Sequence, residues 1–417
     1  MKIENASERI SRVIFEYAAR IGQAQDTDAL LRLNADMARD LVGAERCSIW
    51  LIDAEAGQIH TTVAHGVGEI RVERGHGLVG ACIAQGEPIV VNNASADERF
   101  LNRIDQDTGF ETQSVLAIPL RTADGTIIGA FQALNRSGGF NESDVALLGF
   151  AASYSAAAIE TQRLRQEAEA ARLFLHELEI ARDVQSRLIP EGSPPLEGLD
   201  CATFFRPAKF VGGDYYDLLE TPNGTLAFTL GDVSGKGIPA AVVMASIQAS
   251  LRIPLLQGPE SLTGLVATVN NSIQSTFLSE HYSTLFCGLV NCQNRRLIFL
   301  NAGHCPPMLV RRNGEEVTIN RLMTGGLPIG LLPGTEYEEE ALVLDSGDLL
   351  VCFSDGLSEA MNEHGEMWRE SEIEAILCEN QELSAREIID RLVAAADAFA
   401  GAAEQADDMS VVALRIR

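Results

Sequence analysis

Four segments of this chain place an aspartate where an apolar run stops or starts. Leu226-Ala-Phe-Thr-Leu-Gly-Asp232 and Leu349-Leu-Val-Cys-Phe-Ser-Asp355 each end a strand-like run on a carboxylate. Asp407-Asp408 opens another, entering Met-Ser-Val-Val-Ala-Leu-Arg-Ile416 directly, and Phe210-Val-Gly-Gly-Asp214-Tyr-Tyr-Asp217 completes the set. A carboxylate just beyond a buried strand stands at the rim of a sheet. If four such rims meet, the like charges cannot coexist without cations between them. The candidate ligands are all aspartates, which points to Mg²⁺ or Mn²⁺ rather than zinc. Two such ions about 3.5 to 4 Å apart, bridged by one carboxylate and one water, would lower the pKa of that water and clamp an in-line phosphoryl displacement. The chemistry expected is phosphate-ester hydrolysis. Any one of these aspartates alone reads as a turn or cap residue; the set, flanked by glycines where backbone must approach closely, reads as a metal site.

These residues need a scaffold, and 417 residues suffice for two or three domains with real cores. Ile10, Ile14, Tyr17 and Ile21 recur at helical spacing, and Thr27 is placed to cap a second helix through Leu30, Leu33, Met37 and Leu41, with Gly43 as its stop. The period then changes. Cys47 to Ile52 and Ile59 to Ala64 read as strands, and Val115 to Leu120 pairs with Ile127 to Leu134 around Asp124-Gly125, a hairpin signal. A helix over about 143–160 closes this unit. Between about 155 and 188, Leu164, Ala168, Ala171, Leu175 and Leu178 form a heptad seam, continued by Ala181, Val184 and Leu188 after a phase slip. A helix polar on most faces with so narrow a seam is expected to pair with a second copy. Pro190 ends it.

Composition narrows the partners. With 32 Lys plus Arg against 59 Asp plus Glu the net charge is −27, a field that repels nucleic acid and anionic lipid. The apolar stretches Val145 to Ile159 and Gly237 to Leu251 fall short of a bilayer span, so no membrane segment is expected. The opening residues lack a secretory pattern, and the eight cysteines are scattered without Cys-x-x-Cys. A cytoplasmic protein with reduced thiols is expected.

Two resemblances follow from the motifs. The region 25–160 resembles a GAF domain, through the order of its elements, Gly75-His-Gly-Leu-Val-Gly80 before a short helix, and Leu134-Asn-Arg-Ser-Gly-Gly-Phe140-Asn-Glu-Ser-Asp144 before the last one. The latter is similar to the Asn-Lys…Phe-x-x-x-Asp signature of cyclic-nucleotide-binding members, but Arg136 replaces the Lys. Asn135 and Asp144 are read as turn and cap residues, and the GAF ligand stays an unidentified small molecule. The region from about 175 resembles the SpoIIE/RsbU branch of the PPM metal-dependent serine/threonine phosphatases. It carries, in the family's order, Gln185-Ser-Arg-Leu-Ile-Pro190, Val211-Gly-Gly-Asp-Tyr-Tyr-Asp217, Gly231-Asp-Val-Ser-Gly-Lys-Gly237, Asn301-Ala-Gly-His-Cys-Pro-Pro307, Gly326-Leu-Pro-Ile-Gly330, Phe353-Ser-Asp-Gly-Leu357 and Asp407-Asp-Met-Ser410.

The resemblance implies an α+β chain. An N-terminal helix (1–24) would precede a GAF domain (25–160), a coiled-coil-like linker helix (161–190) and a PPM-type α-β-β-α sandwich (191–417). Carried over by motif, Asp232 would bridge two Mn²⁺ or Mg²⁺ ions. Asp214 would bind or support one, Val233 would offer its carbonyl, and Asp355 and Asp407 would hold the other, with Asp408 the alternative to Asp407. The histidine that serves as general acid in many eukaryotic members is absent from Asp232-Val-Ser-Gly-Lys-Gly237, which leaves water to protonate the leaving serine or threonine oxygen. No phosphate-gripping arginine is identifiable; Arg206 and Lys209 are candidates by charge alone and read better as solvated surface residues. His304 is read as a loop brace, and Cys305 is assigned no chemistry. The expected substrate is a phosphoprotein, after RsbU-like enzymes a STAS-type anti-sigma-factor antagonist, and the expected assembly is a homodimer. A catalytically silent sensor would lack one of the aspartates. A diguanylate cyclase would need a carboxylate where Tyr215 stands.

Overall fold

Apolar residues at helical spacing bury one stripe each of α1 (Ala6–Ile21) and α2 (Thr27–Val42), including Tyr17, Ile21, Leu30, Met37 and Leu41. The computed structural model describes residues 6–24, 26–63, 69–190, 192–277, 281–314 and 316–417, so Ala64 at the end of an expected strand lies outside the described residues. The cap of α2 is Asp26 rather than Thr27: its carboxylate accepts the Ala29 N–H at 2.6 Å. Gly43, at φ 65°, ends the helix as expected.

The chain divides into two units, Met1–Leu173 and Phe174–Arg417. In the first, the strands are β1 (Ala44–Asp53), β2 (Gln58–Val63) and β3 (Ile70–Glu73), followed by α3 (Gly77–Gln85) and β4 (Ile89–Val91). After α4 (Asn102–Thr108) come β5 (Val115–Arg121) and β6 (Ile127–Arg136). They form an antiparallel sheet in the order β3-β2-β1-β6-β5-β4. One face packs on α1, α2 and the start of α5, and the other on α3.

The expected closing helix and the expected linker form one helix, α5 (Glu142–Ser186), because no proline interrupts the 45 residues. Its first turns bury Leu148, Ala151, Ala152 and Ala156. Further on, Leu164, Leu173, Phe174, Leu175, Ile180 and Val184 are exposed. The helix stops four residues before Pro190, where the Leu188 N–H closes a tight turn on the Gln185 carbonyl at 2.9 Å.

The second unit opens with β7 (Leu199–Arg206), β8 (Tyr215–Glu220) and β9 (Thr225–Val233), then α6 (Ile238–Gln257) and α7 (Leu262–Thr276). Next come β10 (Ser283–Asn291), β11 (Arg296–Ala302), β12 (Met308–Asn313), β13 (Glu316–Arg321), β14 (Gly325–Gly326) and β15 (Glu340–Val343). The chain ends with β16 (Leu349–Phe353), α8 (Asp355–Ser358), α9 (Glu370–Glu379), α10 (Ala385–Ala400) and β17 (Met409–Ile416). One sheet runs β14-β11-β10-β9-β8 with β15 beside β11; the other runs β13-β12-β16-β17-β7. Between them lie Phe228, Phe286 and Phe299, successive rings 5.8 Å apart, against Leu350, Val412 and Leu414. Helices α6 and α7 cover the outer face of the first sheet, and α9 and α10 that of the second, giving four layers. Among the described residues α6 alone is long and apolar enough to cross a membrane. It buries Ala240, Val243, Met244, Ile247 and Leu251 in this core.

Candidate active site

The sandwich brings strand ends from both sheets to one rim. Asp232 is the penultimate residue of β9, Asp214 immediately precedes β8, Asp355 opens α8 two residues past the end of β16, and Asp407 and Asp408 immediately precede β17. Glycines let these segments touch. A Cβ on Gly212 would lie 1.9 Å from an Asp408 carboxylate oxygen, one on Gly213 2.6 Å from the Val233 carbonyl, and one on Gly356 2.0 Å from the Asp408 carbonyl. Only the absence of a side chain allows such approach.

Asp408 is bound by backbone. One oxygen accepts the Ala208 N–H at 2.8 Å, and the other accepts those of Gly213 at 2.8 Å and Asp214 at 3.4 Å. It thereby ties the turn that carries Asp214 to the loop ahead of β17. Asp214 is 1% exposed and accepts the Ser410 hydroxyl at 2.6 Å, while Ser354 and Ser410 bond each other across β16 and β17. At the other end of the turn, Gln185 donates to the Gly212 carbonyl at 2.7 Å and accepts the Gly212 N–H at 3.1 Å. The last turn of α5 thus grips the Gly-Gly-Asp segment by its backbone.

The carboxylates destabilise one another. Burial first, and then the charge of Asp232, hold the Asp214 carboxyl well above the usual range. Asp232 is pushed up to about 7, by burial and then by Asp355 and Asp407. Asp355 is raised by burial and by Asp407, and lowered by the nearby Lys236 ammonium. Among the described residues no three Asp, Glu, His or Cys side chains close into a ready-made cage; the set is a chain of neighbouring pairs. An all-oxygen set of excess negative charge fits hard divalent ions, which take one or two carboxylates each and keep several waters.

The remaining candidates stand aside from the cluster. Asp217, three residues beyond Asp214, turns to α6, where Arg252 contacts both its oxygens at 3.0 and 2.9 Å. His304 is buried and neutral, its pKa lowered to about 4 by burial; its Nδ1 lies 2.8 Å from the Thr284 hydroxyl and its loop is braced by Asn301. The Cys305 thiol is pushed up to about 12 by burial and by the charge of Asp355, and so stays protonated. Arg206 is engaged by Asp397 at 3.0 and 2.6 Å and by Gln405 at 2.6 Å, and Lys209 is exposed. Sequence reading met Gln185, Lys236, Ser354 and Ser410 inside motifs but gave them no role, since their partners lie 27 to 196 positions away along the chain. A cleft of about 530 Å³ opens beside the cluster, walled by Lys236, Gly356, Glu359, Glu404, Asp407 and Met409.

In the first unit, Asn135 holds a left-handed turn at φ 53° and accepts the Gln113 N–H, while Asp144 accepts the Asn141 N–H and pairs with Arg136. A small apolar cavity of about 60 Å³ lies on the α3 side of that sheet, lined by Trp50, Ile59, Leu78, Phe100 and Ile104.

Two facing antiparallel sheets between helical layers, with aspartates gathered at one rim, define the PP2C class of fold. The SiaA-PP2C domain of Pseudomonas aeruginosa shares that fold, with a TM-score of 0.51 at 21% identity over 60% of this chain and 99% of that domain. More narrowly, residues 222–417 match the Stage II sporulation protein E (SpoIIE) family and residues 26–159 the GAF domain family, so the chain joins a GAF domain to a SpoIIE-type phosphatase domain. The phosphoserine phosphatase RsbU of Bacillus subtilis is 28% identical over 57% of this chain and 70% of its own length. Protein IcfG of Synechocystis sp. is 26% identical over 67% of this chain, which spans only 48% of that relative. SpoIIE-type phosphatases are metal-dependent as a class.

Proposed function

We propose that this chain is a divalent-metal-dependent protein phosphatase that hydrolyses phosphoserine or phosphothreonine on a partner protein under control of its GAF domain. The observation that carries this reading is the cluster of Asp214, Asp232, Asp355 and Asp407 at one rim, charged beyond what a buried site sustains and open to a cleft. Asp232, central to the chain of pairs, is the residue suited to bridge two ions. Asp355 and Asp407 suit one of them, and Asp214 with the Val233 carbonyl the other. Asp407 is preferred to Asp408, whose oxygens are taken by backbone amides. Mn²⁺ or Mg²⁺ bound there would polarise the phosphoryl oxygens and lower the pKa of the attacking water. The chain's own part is to fix the carboxylates through Ser410, Asp408 and the glycine contacts, and to present the cleft to the substrate.

The likeness to RsbU supports a phosphorylated STAS-type anti-sigma-factor antagonist as partner, and a cytosolic setting. The exposed seam of α5 supports a homodimer, and the cavity in the first unit supports an apolar small-molecule ligand. The reading is tested by hydrolysis of an aryl phosphate and a phosphoserine peptide in Mn²⁺ and in chelator. Turnover is expected only with the ion, and Asp232→Ala is expected to lose more than about a hundredfold, beyond the 10- to 100-fold cost of removing a ligand's supporting partner. Metal-independent turnover, or an unaffected variant, would refute it.

A further inference from the structure

A phosphoryl group entering this site brings negative charge to a rim that already holds five carboxylates, and a fixed cation at its mouth is what aligns such a group for in-line attack. Three cationic side chains come from the neighbouring segments. Arg206 has its guanidinium committed to Asp397 and Gln405, and Gln405 in turn donates to the carbonyls of Arg206 and Asp407, making the whole a strut for the loop before β17. Lys209 is an exposed residue of the β7–β8 connection and does not wall this cleft. Arg206 lines the cleft as well but is held in that strut, whereas Lys236 lies against the acids themselves. Its Nζ stands 2.7 Å from the Ala406 carbonyl and 2.7 Å from the Asp407 carboxylate, it walls the cleft, and its charge reaches Asp355.

An ammonium has three N–H donors, and two acceptors leave one to spend on a ligand. The side chain is half-exposed and lines the cleft, so its third donor is open to a ligand there. We propose that Lys236 is the residue that grips the substrate phosphate, a role that Arg206, committed to Asp397 and Gln405, is not free to take. This rests on the phosphatase reading and deepens it: the recognised group is a phosphate monoester, held by Lys236 at the mouth of the cleft.

The test compares wild type, Lys236→Met and Lys236→Arg. The KM for a phosphoserine peptide and the inhibition constant for inorganic phosphate are measured at saturating Mn²⁺, and phosphate binding is followed by calorimetry. Loss of one charged hydrogen bond predicts that Lys236→Met weakens both constants and the calorimetric affinity by about 10- to 100-fold, with Lys236→Arg restoring most of each. A Lys236→Met protein that melts as wild type and binds phosphate as wild type overturns the proposal. So does one in which only the Mn²⁺ requirement rises, since that would mean Lys236 merely steadies Asp407. A wild type without turnover in Mn²⁺ sinks the phosphatase reading instead, and the calorimetric comparison still decides whether Lys236 holds phosphate.

Discussion

Asp232 shows how a side chain can be costly to the fold and useful to the reaction. Burial and its neighbours push its pKa up to about 7, whereas an unfolded aspartate titrates near 3.9. Between those values the folded chain holds more protons than the unfolded one. Without divalent ions its contribution to stability is therefore best at low pH, declines as pH rises through about 4 to 7, and stays unfavourable above. Asp214, raised by burial and by Asp232, acts in the same direction. In chelator, Asp232→Asn should melt several degrees above wild type at about pH 8, with the gap closing toward about pH 5, and added Mn²⁺ should reverse the order. A chelated wild type as stable as the variant at the higher pH would contradict this account. At this scale the sequence was readable for acids that end apolar runs, because that signal is local. It named Asp408 only as an alternative ligand to Asp407 and was silent on its backbone partners, since Ala208, Gly213 and Asp214 are 194 or more positions away.

At the level of elements, the strands position the carboxylates and the glycines let the strand ends meet. The β5–β6 hairpin and the stop at Gly43 were legible because each depends on a few adjacent residues. The cap of α2 moved by one position to Asp26, since two adjacent cap-forming residues compete and only the backbone entry decides. What Gly356 does was not legible: nothing near it in sequence announces that the Asp408 carbonyl passes where its Cβ would be. Gly356→Ala should accordingly displace the loop before β17 and reduce turnover by at least about tenfold, a positional error of the kind that costs catalysis more than binding. Steady-state kinetics with a parallel melting curve check this; full activity would show that the contact is slack.

At the scale of the molecule, α5 is the element common to both units, carrying exposed Leu164, Leu175 and Val184 and ending in the Gln185 grip on Gly212. The heptad pattern announced the seam but not the continuity with the closing helix of the first unit, because continuity is the mere lack of a breaker. If the seam binds a second copy, Leu175→Asp with Leu178→Asp should yield monomers by light scattering and uncouple turnover from the GAF domain; a dimeric, normally regulated variant would sink that idea. The central claim is that acids from both sheets jointly hold divalent ions. Calorimetric titration of Mn²⁺ into the full chain tests it most directly, with wild type set beside Asp232→Asn. Two ions per wild-type chain, and the loss of at least one in the variant, are predicted; equal binding by the two proteins would contradict the account.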